Sequence, residues 1–176
     1  MQVNHILFDI FIPAEQIKQQ VKTIGKALNR DYEGKRPLFL AVLNGAFIFA
    51  ADLMREVTIQ SEISFVKIAS YSGTQSTETI KELIGFSETL ENRHIIVIED
   101  IIDTGLSMKH ILEQLALLKP ASVAVVTLLL KKEALKHHVQ VDYVGFEIAN
   151  KFVLGYGLDF DGLGRNLPDI YVASTK

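Results

Sequence analysis

The sequence predicts an α/β domain with a mostly parallel sheet and helices on its faces, and three observations predict it. Residues 38–43, 95–98 and 121–130 are nearly unbroken apolar runs, the pattern of strands covered on both faces. Two of these runs lead into polar, glycine-containing turns and then helical patterns, at Asn44-Gly45-Ala46 and at Asp103-Thr104-Gly105. Apolar residues make up 48% of the 176, enough for one domain with a sizeable core.

Taken in order, His5 to Phe11 reads as a short edge strand. Pro13 suits the first turn of a helix whose apolar stripe is Ile17, Val21, Ile24 and Leu28, at the spacing of one helical face. Gly34 is expected to end that helix. Pro37 introduces the strand Leu38 to Leu43, and a helix is predicted from Phe47 to about Glu56. Glu62 to Tyr71 alternates like a strand. Residues 72–79, SGTQSTET, are too polar for core and read as an exposed turn or a lid. Leu83 to Phe86 would be the returning strand. A helix from Gly105 to Leu118 would turn Met108, Ile111, Leu115 and Leu118 inward, with Lys119-Pro120 stopping it. Ala121 to Leu130, Val141 to Ile148 and Ile170 to Ala173 complete the strands, and the apolar segments at the two termini are expected to pair into a small cap.

Several function classes are excluded at this level. The formal charge is -3 and no basic block extends beyond Lys131-Lys132, so nucleic acid is not an expected partner. The absence of cysteine removes disulfides, thiolate nucleophiles and cysteine metal sites. No run approaches the length of a membrane span, and MQVNHILFDIFIP has neither a basic leader nor a cleavage pattern, so a cytoplasmic protein is expected.

The richest stretch is His94 to Ser107, HIIVIEDIIDTGLS. A buried run is expected to end at Ile98, with Glu99 and Asp100 opening a polar loop and Asp103-Thr104-Gly105 starting a helix. A helix start offers unpaired N–H groups and partial positive charge to an anion, with Thr104 and Ser107 adding hydroxyls. The acids need a different duty: ribose hydroxyls, a divalent cation or a proton in transit. Helix capping by Asp103 or Thr104 is the plainer alternative. The Walker A pattern is absent, and Gly155-x-Gly157 lacks the third glycine of a dinucleotide fingerprint. Carboxylates without a histidine cluster favour Mg²⁺ over a transition metal. Lys131 and Lys132 follow a central strand, where a lysine could reach a carbonyl oxygen, or they are merely its solvated end. In open α/β sheets such strand ends converge on one mouth.

Val97 to Ser107, VIEDIIDTGLS, resembles the phosphoribosyl-diphosphate signature of the purine phosphoribosyltransferases, specifically the hypoxanthine-guanine branch. LNGAFIFAADL at 43–53, SYSGTQST at 70–77, LLLKK at 128–132 and VGFEIANKFVLGYGLDF at 144–160 extend the likeness over essentially the whole chain. The last of these separates this branch from adenine, orotate and uracil relatives. The resemblance implies a type I phosphoribosyltransferase fold in one domain, 1–176. Its core would span about 37–148, a hood would form from about 1–12 and 149–176, and a mobile loop would cover about 70–80.

It also implies roles. Asp103, Thr104, Gly105, Leu106 and Ser107 would cradle the 5′-phosphate, and Asp103 would be the catalytic base near purine N7. Glu99 and Asp100 would hold the ribose hydroxyls directly or through Mg²⁺, with Asp159 as a further metal-side and base-side carboxylate. Asn44, Gly45 and Arg165 would contact diphosphate, and Ser70 and Tyr71 would lie on the closing loop. Lys131 would donate to the 6-oxo group, Phe152 would stack on the ring, and Val153 would read the base edge through its backbone. The family often carries Lys where this chain has Asn44, and a cis peptide would fall between Leu43 and Asn44. The implied substrates are phosphoribosyl diphosphate, hypoxanthine and guanine, in a homodimer or homotetramer. Two alternatives are a 6-oxopurine enzyme with substantial xanthine activity and a non-catalytic regulator. The latter would need a nucleic-acid surface or an added domain, and neither is visible.

Overall fold

The computed structural model describes residues 1–71, 79–84 and 89–174, with backbone alone at 68–71 and 79–84. Strands β1 (Gln2–Val3) and β2 (Ile6–Ile12) come first, followed by helix α1 (Ala14–Asp31). The predicted stripe of Ile17, Val21, Ile24 and Leu28 is buried, as the helical period requires. Pro13 lies one position before the helix, with Gly34 in the turn beyond its end.

Strand β3 (Leu38–Leu43) leads to α2 (Phe47–Glu56), then β4 (Glu62–Tyr71) and β5 (Thr79–Ile84). Strand β6 (His94–Ile102) leads to α3 (Leu106–Leu117), and β7 (Ser122–Leu130) to a single helical turn at Lys132–Ala134 and β8 (Tyr143–Glu147). The chain closes with β9 (Val153–Leu154) and β10 (Ile170–Ala173). Several expectations change, among them the strand expected over Val141 to Ile148, which is confined to Tyr143–Glu147. Strand β6 runs four residues past Ile98, so Glu99 and Asp100 belong to the strand and not to a loop after it. Helix α3 ends at Leu117, which leaves Leu118 39% exposed instead of in the core. Of the expected returning strand, 83–84 fall in β5 and 85–86 lie outside the described residues, as do 72–78 of the polar loop.

The main sheet has the order β5-β4-β3-β6-β7-β8, parallel except for β5 at one edge. Strand side chains alternate between faces, so Phe39, Ala41, Ile96 and Ile98 pack with α1 and α2, while Leu38, Leu40, Ile95 and Val97 pack with α3. Neighbouring strands β3 and β6 are therefore followed by helices on opposite faces. That is the condition for an open crevice at their carboxyl ends.

The two termini build a second, antiparallel sheet, β1-β2-β10-β9. It is pinned to α1 by a cap that comes from 155 residues away: Asp169 Oδ1 accepts the Ala14 N–H at 2.7 Å. The Tyr171 hydroxyl holds the other carboxylate oxygen at 3.1 Å. Pro13 has no side-chain acceptor to offer, so Asp169 does what a local N-cap residue would do. Asp169→Ala should cost about 1 kcal/mol of unfolding free energy. Urea denaturation followed by circular dichroism would read it as a lower midpoint with an unchanged slope.

Candidate active site

The crevice between β3 and β6 is a cleft of about 300 Å³. Its floor is the end of β3. A cis peptide joins Leu43 to Asn44, as the resemblance implies, and Gly45 follows. A Cβ on Gly45 would overlap the Asp100 carboxylate, so glycine here leaves room for that acid in its present position. Asn44 is exposed and is not part of the cleft wall among the described residues.

The end of β6 supplies the acids. Glu99 and Asp100 are each only 8% exposed. Burial, and then the charge of Asp100, pushes the Glu99 carboxyl well above the usual carboxylate range. Asp100 is raised by burial too, but a hydrogen bond from the Ile101 N–H, at 2.8 Å, partly restores its charge. Two such groups hold a proton between them unless a cation compensates the second charge. An all-oxygen, buried acidic pair suits Mg²⁺, a hard cation that takes its remaining ligands from water and phosphate oxygens.

The next turn is built for an anion. Gly105, at φ +82°, is the residue before α3; Thr104 Oγ1 accepts the Leu106 N–H at 3.4 Å, and Asp103 takes no part in capping the helix. A Cβ on Gly105 would lie 2.8 Å from the His137 carbonyl oxygen. The Thr104 carbonyl accepts the N–H groups of Lys136 and His137 at 3.0 and 3.1 Å, which holds the turn from behind. The first turn of α3 contains no acid, so its positive end is unopposed. Thr104, Gly105, Leu106 and Ser107 all line the cleft. Relieved of capping, Asp103 instead pairs with Lys131, Oδ2 to Nζ at 2.8 Å. The lysine is buried at the end of β7 and the aspartate is half exposed to the cleft.

The hood closes one side. Arg165 donates Nη2 to Asp159 Oδ1 at 2.6 Å and Nη1 to the Gly157 carbonyl at 2.7 Å. Asp159 Oδ2 accepts the Gly162 N–H at 2.7 Å. Asp159 and Arg165 both line the cleft. Both Asp159 oxygens are engaged within the hood, and no group of three His, Asp or Glu placed to hold a metal occurs among the described residues. Phe152 is 47% exposed, supported by Phe160 edge-on at 5.2 Å and Phe8 at 6.2 Å between ring centroids. It lies just before β9. Phe152, Val153 and Lys131 are not in the 300 Å³ wall. Lys131 reaches it through Asp103. The side chains of Ser70 and Tyr71 lie outside the described residues.

Residues 12–161 match the family model for the phosphoribosyl transferase domain. This chain belongs to the phosphoribosyltransferase family. Among its relatives is the hypoxanthine-guanine-xanthine phosphoribosyltransferase of Tritrichomonas foetus, 40% identical over 89% of this chain and 86% of that protein. The hypoxanthine-guanine phosphoribosyltransferase of Bacillus subtilis is 37% identical over 97% and 95% of the two chains. In structure, the hypoxanthine phosphoribosyltransferase of Staphylococcus aureus superposes with a TM-score of 0.90 at 35% identity, covering 94% of this chain and 91% of that one. The fold is accordingly that of the type I phosphoribosyltransferases, hood included.

Within this phosphoribosyltransferase, sequence reasoning missed Gly157, Tyr156, Asp169 and the backbone support from Lys136 and His137. The Gly155-x-Gly157 spacing is the one available signal, and it marks close backbone approach instead of a nucleotide fingerprint: a Cβ on Gly157, at φ +102°, would run into the Gly45 carbonyl. The Glu99 shift has a stability consequence. A carboxyl whose folded pKa lies above its unfolded value, about 4.3, favours folding most at low pH and loses that contribution as pH rises toward the folded pKa. Glu99→Gln removes the titration. Its melting temperature relative to wild type should therefore climb from about pH 4 upward and level off above the folded pKa. Differential scanning calorimetry across pH without divalent cations would check it, and a pH-independent difference would rule it out.

Proposed function

We propose that the chain transfers the 5-phosphoribosyl group from 5-phospho-α-D-ribose 1-diphosphate to N9 of hypoxanthine and of guanine, releasing diphosphate in purine salvage. The single observation that carries this reading is the Lys131–Asp103 pair beside the anion-binding turn. A 6-oxopurine presents O6 and N7 side by side on one edge. A buried ammonium and a carboxylate, 2.8 Å apart, match that edge as donor and acceptor. A 6-amino group would instead set a donor against the ammonium.

On this reading the 5′-phosphate sits at the start of α3, held by Thr104, Ser107 and the backbone N–H groups of Gly105 and Leu106. Glu99 and Asp100 receive the ribose hydroxyls, and the Gly45 loop and Arg165 hold the diphosphate. The open face of Phe152 stacks on the purine while the Val153 backbone reads its far edge, with Asp159 nearby. The C1′–oxygen bond to diphosphate breaks through an oxocarbenium-like state as N9 bonds to C1′ from the opposite side, inverting the anomer. The proton on N7 passes to Asp103 as N9 attacks. Glu99 and Asp100 are the groups that would hold Mg²⁺, which supplies charge neutralisation to the departing diphosphate. Closure of the loop carrying Ser70 and Tyr71 would keep water from C1′.

Exposed Phe47 on α2, with Ile63 and Phe65 on one face of β4, supports assembly with further copies of this chain, as a homodimer or homotetramer. No helix among the described residues is long and apolar enough to cross a membrane. The donor and the nucleotide product would be multiply charged phosphates that do not cross bilayers unaided, so we place the reaction in the cytoplasm.

Steady-state rates with hypoxanthine, guanine and xanthine at saturating phosphoribosyl diphosphate test the reading directly, and the absence of transfer to either of the first two would refute it. The Tritrichomonas relative makes xanthine the informative third base. Asp103→Asn should lower kcat by roughly 10²- to 10⁴-fold while nucleotide binding changes little. Unchanged turnover would remove Asp103 from the base role. Lys131→Ala should lower kcat/KM for 6-oxopurines by roughly 10- to 100-fold, the worth of a hydrogen bond to a charged donor. Intact preference for 6-oxo over 6-amino purines would refute that assignment.

A further inference from the structure

The diphosphate end of the cleft is assembled from two separate layers. Gly45 belongs to the turn between β3 and α2, and Arg165 to the hood. Their relative position is set where the hood segment Gly155–Gly157 lies against the Gly45 carbonyl. All three residues of that segment have positive φ, +102°, +50° and +102°. For the tyrosine in the middle this conformation is intrinsically unfavourable and persists only where surrounding contacts impose it.

Those contacts are specific. The Tyr156 N–H donates to the Leu167 carbonyl at 2.8 Å, and its hydroxyl donates to Asp52 Oδ2 at 2.7 Å. Asp52 stands on α2, the helix that begins just after Gly45, and its other oxygen is held by Arg55 at 2.6 Å. On the far side of Tyr156, Gly157 is joined to Arg165 twice: its N–H donates to the Arg165 carbonyl at 2.9 Å, and its carbonyl accepts Arg165 Nη1. A continuous path thus runs from α2 through Asp52, Tyr156 and Gly157 to the Arg165 guanidinium. Beside this path lies a second cavity, about 490 Å³, bordered by Lys18, Asp52, Arg55, Tyr156 and Leu167. The Tyr156 ring is buried in the core, and its hydroxyl ties the segment to α2 through Asp52 at the border of this cavity. Burial, followed by the Asp52 hydrogen bond, raises the phenol pKa and keeps it a donor throughout the working pH range.

We infer that Tyr156 and Asp52 are positioning residues for the diphosphate group, setting Arg165 against the Gly45 turn through the Tyr156–Asp52 hydrogen bond. The inference rests on the transfer reaction proposed above. Neither residue touches substrate. Tyr156→Phe deletes one oxygen and keeps the ring. It should raise KM for phosphoribosyl diphosphate roughly 3- to 10-fold, the range of one hydrogen bond, and leave KM for hypoxanthine within about twofold. Asp52→Ala should reproduce that split. Asp52→Asn, which retains an acceptor oxygen, should recover most of the wild-type value, and the Tyr156→Phe/Asp52→Ala double variant should be no worse than either single one. Lys22→Ala, at an exposed position on α1 away from this path, serves as the surface control and should leave both KM values in place.

A purely structural role would lower the melting temperature and shift both KM values together, which overturns the inference. An unchanged KM for phosphoribosyl diphosphate in Tyr156→Phe also overturns it. Wild type assayed alongside separates the two levels: an inactive wild type refutes the proposed reaction and this inference with it, whereas an active wild type with a flat Tyr156→Phe response refutes only the positioning role.

Discussion

The close approach of Gly45 to Asp100 is the contact on which the cleft depends. It exists because β3 and β6 are hydrogen-bonded neighbours, paired from Leu38 with Ile95 to Ala41 with Ile98. The apolar residues on their two faces draw α2 to one side and α3 to the other. Were both helices on the same face, the ends of these strands would be covered. As built, the Gly45 turn and the Asp103–Ser107 turn face each other across a gap that neither helix crosses. A side chain at position 45 would displace the Asp100 carboxylate from the cleft wall. The same turn also receives the hood, through the fit of Gly157 against the Gly45 carbonyl. Two missing Cβ atoms, at Gly45 and Gly157, therefore serve the acidic pair and the placement of Arg165.

Much of this was legible in the chain, for a simple reason. Strands buried on both faces must be continuously apolar, and β3, β6 and β7 announce themselves on that ground alone. Helix α1 is equally plain, because a stripe at helical spacing has one satisfactory way to be buried. The boundaries of β4, α2 and β10 are also as expected. What the local pattern misjudged was β6, where charge was read as the end of the strand. Glu99 and Asp100 break the apolar run but not the ladder, since backbone pairing with β7 continues through Ile102 with Leu130. A strand tolerates buried acids when a site needs them, and propensity carries no information about that need.

The parts of the site that were not legible depend on contacts between distant segments. Asp169 caps α1 from the other end of the chain, and Tyr156 is bonded to a helix 104 residues away. Both are ordinary polar residues in sequence, and only the pairing of β10 with β2 brings the C-terminal segment to where they act. Lys131 and Asp103 could each be proposed singly, but their pairing follows from the β6–β7 ladder, which places Ile102 opposite Leu130. For Asp159 the resemblance implies a metal-side role, and the partners that engage its two oxygens, Arg165 and the Gly162 N–H, lie within the hood segment.

That engagement resolves an apparent conflict in the cleft. An anion-binding crevice lined by Glu99, Asp100, Asp103 and Asp159 ought to repel its ligand. Each acid, however, is compensated on its own terms: Asp103 by Lys131, Asp159 by Arg165, and the Glu99–Asp100 pair by the proton that burial keeps on it or by a divalent cation. The positive end of α3 is left uncompensated by any acid in its first turn. A phosphate entering the cleft therefore meets a field shaped by the helix start and not by the four carboxylates beside it. Lys131 meets the cleft through Asp103, while Arg165 lines it directly. A resting cleft with its acids paired and its helix end open is consistent with a site that binds polyanions and still manages protons.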